Sequence, residues 1–122
     1  MYELTVIRQF SAAHQLREFR GNCERLHGHN WKVEVSLTGE ELNDAGLLID
    51  FKEVKEATDR TLGELDHSFL NELPHFRDQN PSSENIAAYI FEKLSTTLNN
   101  NRIKVIKVTA WESDSARASY LG

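Results

Sequence analysis

The sequence predicts an α+β fold, a four-stranded antiparallel sheet with two helices on one face, in the order ββααββ. Three observations predict it. The first and last thirds of the chain are rich in β-branched and aromatic residues, many of them alternating in phase, whereas the middle switches to apolar residues at helical spacing. Capping and turn residues mark each switch, and no repeat, linker or low-complexity tract interrupts the order, so residues 1–122 read as a single domain. Two helices are thin cover for such a sheet; its edges call for further copies of the chain, so a homo-oligomer is expected.

The first strand spans residues 2 to 12, with Tyr2, Leu4 and Val6 on one phase. Ile7 breaks that parity, which a bulge near residues 7 to 9 accounts for. In the second strand Trp31, Val33, Val35 and Leu37 alternate with Lys32, Glu34, Ser36 and Thr38, ending before Gly39. Residues 40–48 form a turn built on Asn43, Asp44 and Gly46. Asp50 and Glu53 make an N-cap and N3 pair for a helix over 51–65, whose stripe runs Phe51, Val54, Ala57, Thr58, Thr61, Leu62 and Leu65. A second helix starts after Pro81 with Ser82 or Ser83 as cap, stacks Ile86, Ile90, Leu94 and Leu98, and stops at Asn99-Asn100-Asn101. RIKVIKVTAWE is the third strand, and beyond the turn at Ser113-Asp114 a short strand over 115–121 closes the chain.

Charged residues at 27% and hydrophobic ones at 39% describe an ordinary globular chain with no apolar run of bilayer length, which argues against a membrane role. A net charge of −5 without a Lys/Arg-rich stripe argues against a nucleic-acid partner. The N-terminus MYELTVIRQF has no basic segment followed by an apolar one, so no secretory signal is read and the cytoplasm is the expected compartment. The one cysteine, Cys23, fits a reducing compartment and leaves a free thiol.

The chemistry is concentrated in GNCERLHGHNW, residues 21–31. His27 and His29 run straight into the second strand, so an extended backbone sends both imidazoles to the same side about 6.6 Å apart at Cα. A zinc ion accepts imidazole nitrogens in a tetrahedral set, and His14, at the end of an antiparallel first strand, faces the other two. If Cys23 is a fourth ligand the site is closed and structural; three histidines with an open place describe a catalytic ion. Composition leaves both readings open.

Asp66 and His67 follow the first helix without extending its stripe, and a histidine there also suits the negative end of the helix dipole. Glu112 ends the apolar face of Ile106, Val108 and Ala110, a costly place for a carboxylate unless something donates to it. Arg17, Arg20 and Arg25 form a locally basic stretch able to meet a small polyanion, and His75, beside Pro74, reads as an exposed loop residue.

FSAAH, C-x-x-x-H-G-H, LDHSFLN, NPSSEN and a late WES, in that order over nearly the whole chain, resemble the zinc-dependent pterin synthases, both the 6-pyruvoyltetrahydropterin and the 6-carboxytetrahydropterin synthases. The resemblance implies a tunnelling fold assembled as a homohexameric barrel with active sites at subunit interfaces. It implies zinc on His14, His27 and His29, proton transfer by Cys23, Asp66 and His67, and Glu112 as anchor of the pterin ring. The implied substrate is 7,8-dihydroneopterin triphosphate. Of the two activities the expectation is the 6-carboxytetrahydropterin synthase of queuosine and deazapurine biosynthesis, a lyase releasing acetaldehyde and triphosphate. The pyruvoyl-forming enzyme and a non-catalytic zinc module with Cys23 as ligand are the alternatives.

Overall fold

The computed structural model describes residues 1–17 and 25–122. Two long strands, β1 (Tyr2–His14) and β2 (His27–Gly39), pair antiparallel without interruption from Tyr2 opposite Gly39 to His14 opposite His27. They are followed by α1 (Phe51–Gly63), the two-residue β3 (Ser68–Phe69), 3₁₀ turns at Leu70–Glu72 and Pro74–Phe76, α2 (Ser83–Leu98), β4 (Lys104–Ser113) and β5 (Ala116–Leu121). The sheet runs β3-β1-β2-β4-β5, with β3 parallel to β1 and every other pair antiparallel. It therefore has five strands where four were expected. The extra one is two residues long, too short for any periodicity to declare it.

The α+β expectation holds, and so do both helix stripes in outline. Ile86, Ile90, Leu94 and Leu98 of α2 and Val54, Ala57, Thr58, Thr61 and Leu62 of α1 are buried. They cover a sheet face made of Val6, Phe10, Trp31, Val33, Val35, Leu37, Val105, Val108 and Ala110. Asp50 caps α1 by accepting from the Lys52 N–H at 2.9 Å, and Ser82 caps α2 by accepting from the Asn85 N–H at 3.2 Å. Asn43 closes the expected turn by accepting from the N–H groups of Ala45 and Leu47, with Gly46 at φ 80°. Gly39 permits the sheet to end against this turn, since a Cβ there would stand 2.6 Å from both the Arg102 carbonyl oxygen and a Leu48 methyl.

Three details differ from the sequence reading. No bulge lies at residues 7–9: the β1–β2 register is unbroken, and Ile7 sits 51% exposed on the face away from the helices. Phe51 is 56% exposed because it is the first residue of α1, where the stripe has not yet turned inward. The helix itself ends at Gly63, and Leu65 is buried in the turn that follows.

The register does shift elsewhere. Between β2 and β4 it slips at Ser36/Leu37, where Val105 and Lys107 face consecutive residues of β2 and Ile106 is the extra one. A second slip separates Trp111, opposite Arg117, from Ser113, opposite Ala116, and leaves Glu112 without a facing residue on β5. Extra residues of this kind re-aim side chains near strand ends.

Candidate metal centre

The centre is built where β1 ends, β2 begins and β4 ends. Residues 14 and 27 are direct cross-strand partners, and alternation along β2 puts His29 on the same face as His27 and Trp31. His14 is only 1% exposed, whereas His27, His29 and Glu112 are 33, 25 and 34% exposed, so the cluster has a buried base and an open side. Trp31 forms its floor, stacked on Phe10 and meeting the rings of His14 and His29 edge-on at 5.1 and 5.5 Å between centroids.

The hydrogen bonds fix the ring nitrogens. His14 Nδ1–H donates to the Pro81 carbonyl oxygen at 2.7 Å, and His27 Nδ1–H donates to the Arg25 carbonyl oxygen at 2.7 Å. Because a carbonyl only accepts, the proton of each ring in its metal-binding form sits on Nδ1, and Nε2 turns a lone pair toward the centre. These two Nε2 atoms lie 2.9 Å apart. Lone pairs that close repel unless a cation stands between them. His29 Nε2 is buried and has no hydrogen-bond partner among the described residues, although Glu112 Oε1 lies 2.9 Å away. That contact meets an ion-pair distance without hydrogen-bond alignment. Burial pushes the His29 pKa below its ordinary value of 6.5, with Glu112 opposing and the other two imidazoles reinforcing the shift.

Glu112 Oε1 also stands 3.2 Å from His14 Nε2 and 3.6 Å from His27 Nε2. One donor atom from each of the four residues falls within 4.8 Å of the others. Donor atoms of a tetrahedral zinc ion, each at about 2.0–2.1 Å, stand about 3.3 Å from one another. The separations of 2.9 to 3.6 Å between Glu112 and the imidazoles bracket that figure. Three imidazoles, one of them with an unpartnered buried Nε2, and a carboxylate thus fit a divalent cation.

The sequence-derived trio of His14, His27 and His29 is brought together, and Glu112 joins it. Its strand-end position, in phase with Val108 and Ala110, was legible, but the register slip beside it was not. Asp66 accepts from the Ser11 N–H at 2.8 Å, and its other carboxylate oxygen stands at ion-pair distance, 2.8 Å, from His67 Nδ1. The Ser11 bond is the main cause holding its carboxyl below the ordinary value, with His67 adding to it against a desolvation that raises it. His67 is 83% exposed at its side chain and has φ 55°, a left-handed conformation uncommon for a residue with a Cβ. It lines a shallow pocket of about 440 Å³ that also touches His29, Asn30 and Gly28. Cys23 and Arg20 lie outside the described residues. Arg17 is committed to structure, its guanidinium donating to the carbonyl oxygens of Phe76, Arg77 and Gln79. His75 is exposed, as expected, with its ring against Phe76 and Tyr89.

A family model described as 6-pyruvoyl tetrahydropterin synthase matches residues 3–122. The chain is 30% identical to the 6-carboxy-5,6,7,8-tetrahydropterin synthase of Bacillus subtilis over 126 aligned residues, covering 98% of this chain and 84% of that protein. It is 39% identical to the protein of the same name from Synechocystis over 90 residues, 70% of this chain and 68% of the relative. The solved 6-pyruvoyl tetrahydropterin synthase of Caenorhabditis elegans superposes with a TM-score of 0.86 at 28% identity, over 99% of this chain and 95% of that one. With its motifs falling on the strand ends that build one centre and the match running almost from end to end, the chain belongs to the 6-pyruvoyl tetrahydropterin synthase family.

Proposed function

We propose that this protein is a zinc-dependent 6-carboxy-5,6,7,8-tetrahydropterin synthase. In this reading it converts 7,8-dihydroneopterin triphosphate and one water to 6-carboxytetrahydropterin, releases acetaldehyde and triphosphate, and serves queuosine or deazapurine biosynthesis in the cytoplasm. The observation that carries the reading is the convergence of the His14, His27 and His29 Nε2 atoms at the open end of the sheet, with the Glu112 carboxylate beside them. The names of the Bacillus and Synechocystis relatives support the carboxy product.

His14, His27 and His29 are the residues that hold the ion. When bound, zinc supplies Lewis-acid polarisation of oxygens on the substrate side chain, which eases removal of a proton from the adjoining carbon. Cys23 is the base for that proton, a thiol whose pKa a neighbouring cation lowers. The Asp66 carboxylate, 2.8 Å from His67 Nδ1, favours a proton on that nitrogen and leaves Nε2 as the position that relays or returns one. Glu112 is the ring anchor: a carboxylate accepts from the ring N–H and the exocyclic amino group together, the edge that sets pterins and guanines apart. Its 34% exposure leaves it within reach of an incoming ligand. Arg20 and Arg25 are the remaining candidates of the basic stretch for the triphosphate, since Arg17 is occupied.

The high TM-score with a pyruvoyl-forming enzyme favours that activity as the second reading. Product analysis on dihydroneopterin triphosphate separates them. Acetaldehyde with a 6-carboxy product is expected, and a pyruvoyl product without acetaldehyde would replace the first reading by the second. For the non-catalytic alternative the variant is Cys23→Ala, expected to keep its zinc and lose turnover by at least 100-fold, within the span of general acid–base catalysis at about 10²–10⁴. Loss of the metal in that variant would mean that sulfur is a ligand.

A further inference from the structure

The NPSSEN segment has so far supplied only a helix cap and a carbonyl. The chain leaving β1 is gripped at two residues by side-chain amides that imitate a neighbouring strand. Asn71 accepts from the Gln15 N–H at 2.9 Å and donates to the Gln15 carbonyl oxygen at 2.6 Å. Asn80 does the same to Arg17, accepting from its N–H at 2.7 Å and donating to its carbonyl oxygen at 2.5 Å. The grip on Asn80 is itself braced. Asn85 Nδ2 donates to the Asn80 carbonyl oxygen at 2.8 Å, and the Arg17 guanidinium donates to the carbonyl oxygens of residues 76, 77 and 79. The next residue is Pro81, buried, whose ring also restricts the backbone of Asn80 before it. Its carbonyl oxygen receives the Nδ1 proton of His14.

The geometry points to Asn80 as a positioning residue for the metal centre, acting through the Pro81 carbonyl to hold His14 as its Nδ1–H tautomer with Nε2 aimed at the ion. The inference rests on the metal-site reading above. His14 is 1% exposed, so water is a poor substitute for that carbonyl, and a buried ring nitrogen without a partner is costly. If the carbonyl moves, the proton can shift to Nε2, and the nitrogen that should offer a lone pair becomes a donor. Outer partners of this kind are worth about 10–100-fold in metal affinity.

The test is made on the full chain with Asn80→Ala, with Asn85→Ala as a milder change in the same brace. Asn100→Ala is the control, because Asn100 holds a distant turn by accepting from the N–H groups of Arg102 and Ile103. Two quantities are read: the His14 tautomer, from long-range ¹⁵N–¹H correlations of the metal-free protein, and zinc affinity by chelator competition. Asn80→Ala is expected to mix the His14 tautomers and weaken zinc binding by about 10–100-fold. Asn85→Ala is expected to move both readouts in the same direction by less, and Asn100→Ala to leave both unchanged. If Asn80→Ala does not fold, Asn85→Ala decides the matter. Unchanged tautomer and affinity in the brace variants, or an equal loss in Asn100→Ala, would overturn the inference. A wild-type chain that takes up no zinc would overturn the proposed function, while the tautomer readout still decides the role of Asn80.

Discussion

Glu112 and Asp66 are two carboxylates with different neighbours, and substitution separates what each does. Glu112 donates nothing to the core, so Glu112→Ala is expected to fold with a melting temperature close to wild type and to bind substrate more weakly, measured by equilibrium titration. Unchanged affinity would mean its place at the strand end misleads. Asp66 carries a pH signature. Its folded-state pKa is depressed, chiefly by the Ser11 N–H, so its contribution to stability is present above the ordinary value of 3.8 and is lost as pH falls through the lowered one. Urea unfolding of wild type and Asp66→Asn is therefore expected to differ at neutral pH and to converge in an acid series. His29 follows the same sign: burial favours its neutral form, which adds stability above the ordinary 6.5 that is lost as pH falls through the lowered value. Neutral imidazole is also the ligating form, so the metal is expected to leave as acid protonates the trio, checked by zinc release against pH.

At the scale of elements, α2 shows why the helices were legible and parts of the sheet were not. Ile86, Ile90, Leu94 and Leu98 recur every four residues and all are buried, so a single stripe declares both the helix and the face it presents. Ile90 is fully buried, and Ile90→Ala is expected to cost about 2–5 kcal/mol in chemical denaturation. The Asp50 side chain accepts one N–H of the first turn of α1, so Asp50→Ala is expected to cost about 1 kcal/mol in the same measurement. The four longer strands were readable too, but the two-residue β3 and the register slips were not. The parity break at Ile7 pointed to a bulge that does not exist, because an apolar residue can stand on the outer face of a sheet with no change in pairing. The real slips, at Ile106 and Glu112, depend on which residues of a neighbouring strand lie opposite, and a single strand's pattern does not contain that information.

At the scale of the molecule, the histidine trio was legible from strand ends: antiparallel pairing brings the end of β1 beside the start of β2, the observed register sets His14 opposite His27, and His29 is two residues along the same face. What holds His14 was hidden, since the Pro81 carbonyl arrives from 67 residues away. The sheet leaves β5 at one edge with Tyr120 44% and Leu121 69% exposed, and β1 meets β3 at only two residues on the other. Exposed edges of this length pair readily with further copies. The native mass is expected to be a multiple of 14.0 kDa, six-fold for the barrel that the family resemblance implies, and sedimentation at equilibrium measures it. Among the described residues no helix is long and apolar enough to cross a membrane.

The indole of Trp31 gives the centre a built-in optical readout. It touches two of the three imidazoles, and its Nε1 has no hydrogen-bond partner among the described residues, so a positive charge arriving above it is not masked by an existing polar contact. The chain's other tryptophan, Trp111, already has the Lys32 ammonium 4.0 Å from its ring centre and the Arg117 guanidinium at 4.7 Å. Occupancy of the site should therefore change the emission of Trp31 more than that of Trp111, and can be followed without a label.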